Sequence, residues 1–473
     1  SLDFKGGFIM TGIPLLIVFA LAIVLMIVAI SKFRIHPFLS LMGTSLLLAI
    51  VVGLPLGKIP GIIGAGFSGT FTSIGIVIIL GALIGLILER TGAAIRLADV
   101  VIRCVGEKHP QLAIMLMGWI VSIPVFCDSG FVILNPIRKA LCQKLKTASP
   151  IGMAVALSAG LYTSHVFIPP TPGPIAAAGS LGLADNLAAV ILAGVIASVP
   201  ALIAAYLFSL YIGKKHIPTS ETDASADTKE MTKTYEELVA EYGTLPSAAA
   251  SFAPIIMPIL LMALGSVVSM MKLSGPVPEL IRFLGTPIIA LTVGVLLAVY
   301  VLYATGKMDK FYDVTEATLK TVGPILFITA AGGVLGKVIT AAGFVEFMKE
   351  NAAFLASVGI FFPFLISSIL KTAQGSSTVA ITTTAGIMGM FSDSSSMMAA
   401  LGLNTEMAAL LTVMAIGAGA MTVSHANDSY FWVVTNFSGM EPQGGYRTQT
   451  MMTLVVGIVS ILSIWVASLF LIG

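Results

Sequence analysis

Few side chains in this sequence can do chemistry, and those few sit in apolar surroundings. Asp128 interrupts "VSIPVFCDSGFVIL" (Val121–Leu134), and Asp428 lies in "SHANDSYFW" (Ser424–Trp432). A carboxylate taken out of water costs several kcal/mol unless it is compensated. Each Asp must therefore cap a helix, pair with a cation, or carry a proton or another coupling ion. His165 and His425 each follow a serine, and imidazole exchanges protons near neutral pH. Lys371 stands just before "QGSST" (Gln374–Thr378). Hydroxyls, amides and glycine N–H groups at Ser129, Gly130, Thr171, Gly173, Gly375, Ser376, Ser377, Thr378 and Asn427 can hold a small hydroxylated anion, with Lys371 for its carboxylate. On this reading Asp128, His165, His425 and Asp428 couple protons, and the other residues bind substrate.

Plainer roles stand beside these. Asp128 can N-cap a half-helix starting near Phe131, and Asp428, after Asn427, can form an Asx cap. A lone histidine can be purely structural. Lys371 can pair with a nearby acid or snorkel, and Lys337 fits snorkelling best. Thr171 and Gly173 can shape a break, and Arg138 and Lys139 read as anchors at the end of a helix. A hydrolase using the two Asp residues or a Ser–His pair fits less well, because neither a paired-Asp protease pattern nor G-x-S-x-G occurs. No cofactor is expected. The coupling ion is H⁺, with Na⁺ the alternative.

The elements that must carry these residues follow from the whole chain. Its 473 residues are 57% apolar and 10% charged, with mean hydropathy +1.01. A soluble domain is about 25% charged, so this is an all-α polytopic membrane protein. A net charge of +2 points away from nucleic acid. The three cysteines lack metal-ligand spacing and read as thiols. "GIPLLIVFALAIVLMIVAI" is too long for the apolar core of a signal peptide and is taken as a retained helix.

Apolar runs predict ten crossings, at about 12–31, 38–54, 73–90, 150–180, 186–212, 248–271, 286–304, 321–341, 405–436 and 448–472. Two further apolar stretches, about 111–145 and 353–391, are split by "CDSG" and "AQGSS". Basic residues cluster at Lys32 and Arg34, at Arg90–Lys108, at Arg138–Lys146, at Lys214–Lys233, at Lys307–Lys320 and at Arg447, and none occurs from 372 to 446. Placing the clusters inside puts both ends of 111–145 in the cytoplasm and both ends of 353–391 outside. Each becomes a re-entrant hairpin, and both chain termini fall on the periplasmic side.

The hydrophilic segment 214–247, with one short helix at "TYEELVAEYG", reads as a cytoplasmic linker between halves 10–213 and 248–473. "GALIGLILERTG" (Gly81–Gly92) matches "GGVLGKVITAAG" (Gly332–Gly343), and each precedes a hairpin and then a helix broken at "SH". With five crossings per half, the second copy must be inverted, as in secondary transporters. Half-helices that begin at such breaks turn N–H groups and positive dipole ends inward, which suits an anion.

At "VFCDSGFVIL", "FIPPTPGPIAAAG", "QGSSTVAITTTAGI" and "SHANDSYFW" the sequence resembles the gluconate permease family, over essentially its whole length. The resemblance implies a bacterial inner-membrane symporter of gluconate or related small hydroxy or amino acids, driven by protons, with a sodium-coupled carboxylate or amino-acid symporter the alternative. It also implies a homodimer with scaffold and mobile elevator domains, and hairpin tips and helix breaks that hold the substrate. The sequence departs from the family pattern at Asp128, where Glu is usual, and at Thr171, where His is usual. It departs too at Lys371, often Arg or His, and at Ser377, usually Ala. These departures make a four-carbon aldonate or glycerate as good an expectation as gluconate.

Overall fold

The computed structural model describes residues 13–105, 108–144, 149–219, 240, 242–343, 358–425 and 428–472. Among them the chain is helical, apart from one isolated bridge between Thr219 and Met440. Before the hydrophilic segment come α1 (Ile13–Ser31), α2 (Pro37–Val51), α3 (Ile59–Thr70), α4 (Ile76–Thr91) and α5 (Ala93–Val105). They are followed by α6 (Pro110–Val121), α7 (Cys127–Lys144), α8 (Pro150–Phe167), α9 (Pro172–Leu181) and α10 (Leu187–Ile212). After it come α11 (Ala248–Met270), α12 (Pro276–Gly285), α13 (Pro287–Ala304), α14 (Phe311–Ala341) and α15 (Phe361–Gln374). The series ends with α16 (Ser377–Met388), α17 (Glu406–Met421), α18 (Ser429–Phe437) and α19 (Met451–Leu471). Most of the expected linker helix lies outside the described residues.

Six helical segments among the described residues are long and apolar enough to cross a membrane unaided. Other apolar runs fold as shorter helices, such as α17 and α18 with 16 and 9 residues either side of a break. Two expectations change. The crossing expected at 73–90 continues a helix that starts at Ile59 and passes through a π turn at Phe71–Gly75. Its glycine-rich sequence "IPGIIGAGFSGT" hides that helix from hydropathy. The crossing expected at 321–341 begins ten residues earlier, at Phe311, with solvated turns tied by a Lys320–Glu316 pair at 2.7 Å.

The ends expected on one side do lie together. Lys307 Nζ donates to Arg90 O at 3.3 Å and sits over the Tyr242 ring. Thr219 Oγ1 donates to Ser438 O at 2.7 Å, and Asn135 Nδ2 donates to Phe437 O at 2.8 Å. Arg138 is no exposed anchor. It is fully buried and bonds Asn135 Oδ1 at 2.8 Å and Pro150 O at 3.1 Å. It locks the end of α7 to the start of α8. On the other side, Asn186 Nδ2 donates to Glu406 Oε1, and Phe391 N–H donates to Leu181 O.

The two arms of the first broken stretch, α6 and α7, run antiparallel. α6 has 12 residues, about 18 Å at 1.5 Å per residue, against a hydrocarbon core of about 30 Å. It runs parallel to α8, with Gln111 beside Gly152 and Met115 against Gly160. α7 comes back from the tip to Pro150 through Arg138. In the second hairpin α15 lies along α17, where Ser367 Oγ donates to Ile416 O at 2.8 Å. α16 runs beside α9, Ile381 against Gly173, and reaches Phe391 beside Leu181.

Two glycines set how closely these parts pack. A Cβ on Gly85 would lie 1.9 Å from Pro124 O in the first tip, and one on Gly336 would lie 1.9 Å from Gly386 O in α16. Gly43 in α2 has nothing within 4 Å of such an atom. Gly85→Ala and Gly336→Ala should each destabilise the protein by about 1–3 kcal/mol through overpacking. Gly43→Ala should be neutral or stabilise it by up to about 1 kcal/mol. Thermal unfolding in detergent checks the ranking.

Candidate functional site

The second hairpin tip positions a lysine. α15 ends because Gly375 takes φ +89°, where its N–H bonds Lys371 O at 2.8 Å. A left-handed glycine closes a helix in this way at little steric cost. Ser376 then caps α16, its Oγ accepting from Val379 N–H at 3.3 Å. The last turn of α15 thereby aims Lys371 at the break. Its Nζ donates to Gly375 O and, at 2.6 Å, to Asp428 Oδ2. Lys371 is 0% exposed and Asp428 4%.

The second broken helix supplies the acid. α17 stops at Met421, and Val423 takes φ +61°. Flanking threonines hold the irregular backbone. Ser424 N–H donates to Thr453 Oγ1 at 2.9 Å, and Thr450 Oγ1 donates to Ser424 O at 2.6 Å. Asp428 caps α18, with Oδ1 accepting from Tyr430 N–H at 3.0 Å. Its Oδ2 accepts from Ser424 Oγ at 2.5 Å as well as from Lys371. Capping and charge pairing, alternatives in the sequence, are both made by this one carboxylate.

α8 lines the pair. The Tyr162 ring centroid is 5.6 Å from Lys371 Nζ and 5.0 Å from the Tyr430 ring. Such a face attracts an ammonium, the more so when desolvated. Tyr430 OH donates to Ser158 O at 3.1 Å, and Tyr162 OH donates to Ala420 O at 3.4 Å. His165, one turn beyond Tyr162, is buried, feels the charges of Lys371 and Asp428, and lies 6.0 Å from the Phe126 ring of the first tip. Its Nδ1, Thr163 Oγ1 and Ser164 Oγ are buried without a hydrogen-bond partner among the described residues. His425 Nε2 donates to Thr372 O at 2.9 Å, tying break to hairpin.

The first tip contributes less directly. α7 starts at Cys127, not near Phe131, so Asp128 sits within its first turn and is not its N-cap. There the half-buried carboxylate faces the positive end of the helix, and Cys127 Sγ lies 3.8 Å from its Oδ2. Gly130 packs on Leu161. Thr171 lies in the first break, beside the cis Pro169–Pro170 bond, and its Oγ1 lies 2.7 Å from Ile168 O and 3.0 Å from His165 O. Its hydroxyl closes the break, and Gly173 packs against Ile381. Thr378 is half-buried in the first turn of α16. Asn427 and the Ser129 side chain lie outside the described residues.

Three site residues escaped the sequence reading. Tyr162 stands one turn before His165 on the same helix face, and Tyr430 and Ser424 lie within "SHANDSYFW". Aromatics in membrane helices are too common to single out without the fold. A cleft of about 250 Å³ opens farther off, at the far ends of α9 and α16, against α3 and α14. Gly66, Ser180, Lys337, Gly386 and Asp393 are among its lining residues.

Interrupted helices that converge on a buried ion pair, within a many-helix membrane protein, are an architecture that secondary transporters use. The family model described as GntP family permease matches residues 13–470, and the chain belongs to that family. It is 34% identical to an uncharacterized permease of Haemophilus influenzae, covering 91% of this chain and 87% of that one. It is 30% identical to a gluconate permease of Pseudomonas aeruginosa, covering 94% and 96%. The crystal structure of the Alcanivorax borkumensis YdaH transporter superposes with a TM-score of 0.61 at 17% identity, over 93% of this chain and all of that one. That likeness concerns the fold.

Removing one partner of a buried pair costs about 3–5 kcal/mol, because the other charge is left stranded. Lys371→Met should therefore lower thermal stability sharply, and Lys371→Met/Asp428→Asn should recover most of the loss. Equal melting temperatures for the single and double variants would show that the two side chains are not energetically coupled.

Proposed function

We propose that this protein is a symporter that imports a small hydroxycarboxylate, gluconate or a shorter aldonate such as glycerate, together with protons across a bacterial inner membrane. The observation that carries the reading is Lys371. It is a wholly buried ammonium at the end of a hairpin, beside hydroxyls and helix N-termini. A carboxylate can pair with that ammonium, while Ser377 and Thr378 and the free N–H groups of α16 suit hydroxyls or the anion itself. The gluconate permease named among the relatives supports the substrate class.

Alternating access needs a site that opens to either face. On this reading the cleft at the far ends of α9 and α16 serves as the access path on one side. Its glycine lining lets the tip-bearing helices move against α3 and α14 in an elevator-like stroke between inverted repeats. Each net positive charge carried inward gains about 2.3 kcal/mol per 100 mV, so the proton-to-anion ratio decides whether voltage helps.

Proteoliposomes with an alkaline interior should accumulate labelled gluconate or glycerate above the outside concentration, at equal sodium on both sides. Accumulation that follows an imposed sodium gradient at uniform pH would instead make sodium the coupling ion. Equilibration without accumulation under either gradient would mark a channel.

A further inference from the structure

Lys371 has one ammonium, and Asp428 already occupies it at 2.6 Å. The two are enclosed by Tyr162, Tyr430, Ser424 and the Gly375 carbonyl. A substrate carboxylate arriving at Nζ would bring a second negative charge into a space that compensates one. Like charges in a desolvated site cannot both ionise, so one carboxyl must take a proton. A hydroxy acid reaches the membrane as an anion, and Asp428 is already held by hydrogen-bonding groups that serve either protonation state. Ser424 Oγ can turn to accept from a protonated carboxyl, while Tyr430 N–H keeps donating to Oδ1.

We infer that Asp428 is the proton carrier, and that substrate carboxylate and Asp428 exchange places on Lys371. The inference deepens the proposed function and rests on it. In the exchange a proton from water binds Asp428, the Lys371–Asp428 pair opens, and a Lys371–substrate pair forms. No covalent bond changes apart from the O–H. The site stays neutral in both states, so one proton moves with each monoanion and the loaded site carries no net charge through the membrane.

Charged and titratable groups lie around this pair on several neighbouring elements. Lys371 comes from α15, Cys127 and Asp128 from α7, and Tyr162 and His165 from α8; Tyr430 comes from α18 and His425 from the break itself. Asp128 is the other acid, and it lies on the first tip, in the first turn of α7. The exchange assigns it no obligatory proton, which separates this inference from any scheme that couples through the first tip.

Isothermal titration of the full-length protein in detergent, with gluconate and with glycerate as probes in buffers of different ionisation heat, counts protons taken up on binding. The inference expects about one proton per bound anion, with affinity rising up to about tenfold per unit fall in pH, the limit for one linked proton. Asp428→Asn should still bind, with no proton uptake and no pH dependence. Asp128→Asn should keep the proton. An infrared difference spectrum of the wild type should show a carboxyl gaining a proton when the probe binds, which tests the point even where Asp428→Asn does not fold. Proton uptake that survives in Asp428→Asn, that disappears in Asp128→Asn, or that is absent from a wild type that binds the probe overturns the exchange alone. A wild type that binds neither probe overturns the hydroxycarboxylate reading and the exchange with it.

Discussion

A lysine ammonium with no exposed surface, set among aromatic rings and helix ends, needs an anion within hydrogen-bonding reach. That constraint organises the centre of this molecule. Asp428 can meet it only because α17 stops early and the chain turns through Val423 and Ser424 before α18 begins. The turn is stable because Thr450 and Thr453 satisfy the exposed backbone of Ser424. Lys371 can meet it only because Gly375 ends α15 four residues later. Breaks that would be costly in lipid are tolerated where freed backbone groups find partners inside the protein, as the N–H and carbonyl of Ser424 do.

The two hairpins are built alike and used differently. The second tip carries hydroxyls and backs onto the lysine, while its acid arrives from another element 57 residues on. The first tip keeps its own acid, half-buried at the start of α7, and touches the site through Phe126 and His165. α8 runs between them, with Tyr162 turned to the lysine and His165 to the first tip. Movement at either tip is therefore felt along one helix face.

Much of this was legible in the sequence. The helical membrane class followed from composition. Helices break where small polar residues interrupt apolar runs, at Gly375–Ser376 and between Met421 and Ser429 among others. Other features depend on tertiary contact. Lys371 and Asp428 were each singled out, with pairing to some acid left open, but no local pattern joins residues so far apart. The helix at Ile59–Thr70 is diluted by glycines and gives no apolar run. Arg138 reads as a surface anchor until the fold buries it against Pro150. Thr171 looks like a ligand, yet its hydroxyl bonds to the backbone of its own break.

The most direct measurement is an experimental structure of the protein with gluconate or glycerate bound at mildly acidic pH. The account predicts the substrate carboxylate on Lys371 Nζ, substrate hydroxyls near Ser377 and Thr378, and Asp428 turned away from the lysine but still capping α18. A substrate bound elsewhere, with the Lys371–Asp428 contact intact, would contradict it.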